Sequence, residues 1–143
     1  MNNDKLVFTV EQHPMGQPRA RVGKYGVVFK SKKAVDYAKE TKWIAKCAMM
    51  SQGFTYTEGP IKIEILACFP VPQKFNKAMR AEALAGKLLP AKKPDNDNIE
   101  KAVWDAMSGV VYKDDNQVVT NYTSKIYSNK YADGAVVVAV TKL

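Results

Sequence analysis

Apolar residues recur along this chain with two periods, and the switches between them mark its elements. Leu6, Phe8 and Val10 fall on one side of residues 5–11, the period of a strand. Ile61, Ile63 and Ile65 alternate against Lys62 and Glu64 and predict a second strand over 61–69. Between them the period lengthens. Ala34, Tyr37, Ala38, Thr41, Ala45 and Ala48 form one stripe, with Lys39, Lys42 and Lys46 off it, so a helix capped by Ser31 runs to about residue 50. A shorter helix is expected over 74–85, ended by Gly86. Ile99, Ala102, Val103, Ala106 and Met107 again follow the i, i+3, i+4 pattern, up to Gly109. Val110 to Tyr112 then reads as a short strand, 113–116 as a turn and 117–127 as a long strand. The run AVVVAV within 134–141 is apolar on both faces, which suits a central buried strand. The segment QPRARVGKYGVVF reads as a hairpin or extended loop, and LLPAKKP as a linker. The expected order is strand, strand, helix, strand, helix, helix, then three strands. That is a mixed α/β chain of the α+β type, a mixed sheet flanked by helices, in one compact domain over residues 1–143.

Composition removes several classes. No apolar run reaches the roughly 18 residues of a membrane span, and no signal peptide is expected from the first residues. Two cysteines, Cys47 and Cys68, are too few and too far apart for a disulfide framework or a zinc site, so the expected location is the cytoplasm. His13 is the single histidine and sits in a loop-like stretch, which argues against Ser-His-Asp or Cys-His chemistry. Trp43, Trp104 and Phe54 suit core or interface, with Trp104 placed in the core beside the helix stripe.

Charge sharpens the reading. The formal net charge is +8, concentrated as +6 in residues 1–50 and +5 in residues 74–93. Such an excess favours a polyanion, most simply nucleic acid. Against that background, KPDNDNIEKAVWDAMSGVVYKDDNQ (93–117) holds six acidic residues. Pro94 disfavours a helix before it, Asp97 suits an N-cap, and Glu100 stands where a capping box would place it. If the turn after Tyr112 folds back, Asp114 or Asp115 returns to the neighbourhood of Asp95 and Asp97. Carboxylates so gathered repel one another unless a cation neutralises them. Oxygen ligands without His or Cys suit Mg2+ or Mn2+. Lys101 would add positive charge beside a scissile phosphate. An EF-hand is excluded, because counting from Asp95 puts Glu100 where a glycine is needed and Ala106 where a glutamate is. Read singly, each of these aspartates is equally a cap or a turn former; the set carries the metal reading.

These residues resemble the RusA family of Holliday junction resolvases, often carried by prophages. The likeness lies in Pro94-Asp95-Asn96-Asp97-Asn98, Lys101 and Asp114-Asp115-Asn116-Gln117, with the intervening KAVWDAMSGVVYKDD; PRARVGKYGVVFKSKKAVDYAKE is similar more loosely. The resemblance implies a homodimeric, Mg2+-dependent endonuclease (Mn2+ also suiting) that binds four-way DNA junctions and nicks two opposed strands, in recombination and repair. It implies Asp95, Asp97 and Asp115 as metal-binding catalytic carboxylates, Asp114 as a further metal ligand of less direct role, and Lys101 as the catalytic lysine. Arg19, Arg21 and Lys24 belong to a basic stretch expected, with Lys101, to meet DNA. Two other readings stand beside it: a basic DNA-binding module without chemistry, and a metal-dependent nuclease of other branched or single-stranded DNA.

Overall fold

The computed structural model describes residues 3–17, 21–22, 28–29 and 31–143, with only the backbone of the two short pairs. Its elements in chain order are β1 (Lys5–Val10), β2 (Arg21–Val22), β3 (Val28–Phe29), α1 (Lys32–Gln52), β4 (Ile61–Phe69), α2 (Lys77–Leu84), α3 (Asn96–Met107), β5 (Val118–Tyr127) and β6 (Ala135–Lys142). One four-stranded sheet has the order β1-β6-β4-β5, and β2 pairs with β3 in a small hairpin. β6 lies antiparallel to both β1 and β4, and β5 runs parallel to β4. The parallel pair needs a long crossover, and α2 and α3 supply it. β6 is the apolar run AVVVAVTK and is central, as its pattern predicts.

One face of the sheet carries the core. Leu6, Phe8 and Val10 of β1, Ile61, Ile63 and Ile65 of β4 and Val136, Val138 and Val140 of β6 are all buried there. α1 packs on β1 and on α3. The whole predicted stripe of α3, Ile99, Ala102, Val103, Ala106 and Met107, is buried. Each of its larger side chains contributes about 1.5–3 kcal/mol by leaving water. This anchoring holds the two ends of α3 in place, and the candidate chemistry sits at those ends. The opposite face carries Val7 and Tyr122 in one cross-strand row, both exposed.

The capping chemistry is partly as expected. Ser31 caps α1 by accepting from the Ala34 amide at 3.2 Å, and Gly53 closes it at φ 68°. α2 begins three residues later than its pattern suggests, because Asn76 rather than an upstream residue accepts from the Met79 amide. Two capping expectations fail, and one expected strand. α3 is entered at Asp95, not Asp97, so Asp97 lies inside the first turn. Glu100 makes no capping box; its Oε1 accepts from Asn121 Nδ2 at 3.0 Å and Thr123 Oγ1 at 2.6 Å, tying α3 to β5. Residues 110–112 are not a strand. Gly109 at φ 84° turns the chain, its amide donates to the Tyr112 carbonyl, and the Val110 and Val111 amides both donate to the Met107 carbonyl. The segment is a closed turn that buries Val111 and Tyr112. Phe54 is buried and Trp104 half-buried, whereas Trp43 is exposed. No helix among the described residues is long and apolar enough to cross a membrane.

Candidate active site at the head of the third helix

The segment entering α3 is held from outside the helix. A cis peptide joins Lys93 to Pro94. Lys125 of β5 donates from Nζ to the Lys92 carbonyl at 2.6 Å and the Pro94 carbonyl at 3.1 Å. Asn96 Nδ2 donates to the Thr123 carbonyl at 3.2 Å. Asp95 follows, extended at φ −69° and ψ 154°, and its side chain makes no capping hydrogen bond. A carboxylate at an N-cap that leaves the cap unmade is available for another partner. Asp97, two residues on, faces solvent, and its Oδ2 lies 4.0 Å from Lys101 Nζ. An exposed pair at that distance contributes little to stability, so nothing in the fold demands this arrangement of charges.

These side chains line one open cleft of about 1070 Å³. Asp95, Asp97, Asn98 and Lys101 form its helical wall, with Lys93 beside them, and residues 13–17 form the wall opposite. The walls are drawn tightly together. The Gln17 amide donates to the Asn98 carbonyl at 3.0 Å, and Gln17 Nε2 donates to Asp105 Oδ2 at 3.1 Å. Gly16 makes the approach possible: a Cβ there would lie 2.9 Å from Pro94 Cβ and 3.1 Å from Asn98 Cβ. His13, set aside as a loop residue, stacks edge-on to Phe69 and lines the same cleft. A second hollow, of about 660 Å³, is lined mainly by Met49, Met50, Phe54 and Val110, with Lys46 its charged member.

The Asp114-Asp115 pair lies elsewhere. Asp114 caps a short 3-10 turn, Asp115–Gln117, by accepting from the Asn116 amide at 3.2 Å. Gln117 fixes that turn with its whole amide. Its Oε1 accepts from the Lys113 and Asp114 amides, each at 2.8 Å, and its Nε2 donates to the Thr57 and Gly59 carbonyls, each at 2.9 Å. Asp115 Oδ1 accepts from the Tyr112 hydroxyl at 3.0 Å, and that hydroxyl is also 3.1 Å from the Trp104 carbonyl. Burial, reinforced by the Asp115 charge, pushes the Tyr112 hydroxyl well above its ordinary pKa.

The sequence expectation that the turn brings Asp114 or Asp115 beside Asp95 and Asp97 is therefore corrected. α3 lies antiparallel along β5, so Asn96 meets Thr123, Glu100 meets Asn121, and the Trp104 end meets Asp115 through Tyr112. Seven residues of helix separate Asp97 from Trp104, about 10 Å of rise. Among the described residues no three His, Cys, Asp or Glu side chains stand close enough together to hold one ion. The two carboxylates at the cleft, Asp95 and Asp97, are oxygen donors that suit a hard divalent cation, but this chain gathers only these two of the expected carboxylates there. Of the expected DNA contacts, Lys101 lines the cleft; Arg19 and Lys24 lie outside the described residues, and Arg21 is described only as a strand position in β2.

A family model for endodeoxyribonuclease RusA matches residues 11–141. The chain belongs to the RusA family. Its motif residues 94–98, 101 and 114–117 all fall within the matched range. The chain is also 33% identical over 131 residues to "Uncharacterized protein YqaN" of Bacillus subtilis (strain 168), covering 89% of this chain and 91% of that protein. RusA membership supports a nuclease acting on DNA, and the mixed fold with its four-stranded sheet accords with it.

Proposed function

We propose that the chain is a single endonuclease domain over residues 1–143 that binds four-way DNA junctions as a homodimer. It nicks two opposed strands with Mg2+, or Mn2+ in its place. The observation that carries this reading is the cleft at the head of α3. There Asp95, free of its capping role, and Asp97 face Lys101 in a basic protein. Asp95 and Asp97 would hold the cation, which when bound lowers the pKa of a water and stabilises charge on the phosphoryl oxygens. Lys101 places its ammonium beside the reacting phosphate. Gln17, on the opposite wall, leads directly into Arg19, Arg21 and Lys24, which meet the DNA backbone.

Asp115 enters as a further ligand, with Asp114 beside it. Gln117 pins their turn by four hydrogen bonds, so carrying the turn some 10 Å along α3 would break all of them. A second copy supplying Asp115 leaves each chain intact, and a two-fold dimer also matches a junction cut at two related positions.

Mixing variants tests this directly. Asp97→Asn and Asp115→Asn proteins, each inactive alone, are dissociated and reassociated together, and nicking of a labelled junction is followed with Mg2+. A site built across two copies leaves one intact site in each mixed dimer, so nicking of single strands returns. Continued inactivity of mixed dimers confirmed to have formed would reject the shared site.

A further inference from the structure

We propose that Tyr112 is a positioning residue that sets the orientation of the Asp115 carboxylate, and through it the metal affinity of the site. The proposal rests on the reading of Asp115 as a ligand. Tyr112 is fully buried in the closed turn after α3, so its ring is fixed by packing. Its hydroxyl has one proton and two acceptors within reach, Asp115 Oδ1 at 3.0 Å and the Trp104 carbonyl at 3.1 Å. The Trp104 carbonyl already accepts from the Ser108 amide at 2.9 Å, which closes the helix. A carboxylate is the stronger acceptor, so the phenolic proton belongs to Asp115.

The arrangement divides the labour within DDNQ. Gln117 holds the backbone of the turn, while Tyr112 holds the carboxylate itself. With Oδ1 tied to the core, Oδ2 has no hydrogen-bond partner among the described residues. Asp114 differs: its side chain caps the turn and receives nothing from the core. A ligand whose rotamer is set before the ion arrives loses less freedom on binding, and partners of this kind tune metal affinity without touching the metal.

Tyr112→Phe removes only the hydroxyl. The ring still fills its place, and the Trp104 carbonyl keeps Ser108. The measurements are Mn2+ affinity by calorimetry on the free protein, and the Mg2+ concentration for half-maximal junction nicking. Thermal midpoint and junction affinity without metal serve as controls. The expected result is about tenfold weaker Mn2+ affinity and an about tenfold higher Mg2+ concentration for half-maximal nicking, the lower end of the range for such partners. Nicking should recover at saturating Mg2+, with both controls unchanged. Parental Mn2+ affinity and Mg2+ dependence would overturn the proposal, whether or not the thermal midpoint falls. Asp115→Asn, measured alongside, separates the two levels. If it nicks at the parental rate, the ligand reading of Asp115 fails, and the role of Tyr112 with it. If it is inactive while Tyr112→Phe keeps parental metal dependence, the positioning role alone fails.

Discussion

At the scale of single residues, the cleft is legible through what its side chains do not do. Asp95 stands at an N-cap and makes no capping bond, and Asp97 makes only a long, exposed contact with Lys101. Their removal therefore costs the fold little. Asp97→Asn loses a favourable charge in the first turn of α3, worth about 0.3–1 kcal/mol. Cleavage should fall by orders of magnitude while junction binding persists or tightens. Lys101→Ala should keep metal affinity and lose rate, because its charge is assigned to the phosphate. Asp114→Ala should show the opposite balance: a loss of about 1 kcal/mol from the turn it caps, with a milder effect on cleavage. Melting curves and single-turnover nicking on the same samples check all three. The motif was readable as a set of residues. The tasks of Glu100 and Gly16 were not, because a bond to β5 and a close approach to Pro94 are tertiary facts with no local signature.

At the scale of elements, periodicity placed α1, β4, α3 and β6 closely, because each buries a continuous stripe or row; β5 buries no residue fully, yet its strand is read within one residue of its bounds. It misread 110–112, where three apolar residues suggested a strand. A run that short has no period of its own, and Gly109 closes it into a turn. Burial of Tyr112 explains its apolar neighbours without any strand. The larger miss was direction. Sequence predicts that a chain folds back after α3, but not where along the helix the turn comes to lie; the parallel pairing of β5 with β4 decides that. Gln117 fixes the result. Gln117→Ala removes four hydrogen bonds and should cost about 2–3 kcal/mol, several of the lost contacts being backbone groups that water can reach again. A chemical denaturation series checks the size. Raising Mg2+ should not fully restore nicking in this variant, since the backbone carrying Asp115 is what loosens.

At the scale of the whole molecule, a protein of net charge +8 places two unpaired-with-core carboxylates at the mouth of an open cleft, and its family cuts DNA. Positive charge supplies affinity for a polyanion, and the carboxylates would repel that same polyanion unless a cation lies between them. In the proposed site a bound divalent cation meets both requirements, and cleavage should therefore depend on it. Purified protein should be incubated with labelled four-way junction, linear duplex and single strand, each with Mg2+ and with EDTA. The expected result is paired nicks in opposed strands of the junction with Mg2+, little cutting of the other two substrates, and junction binding without cleavage in EDTA. Undiminished cleavage in EDTA would contradict it.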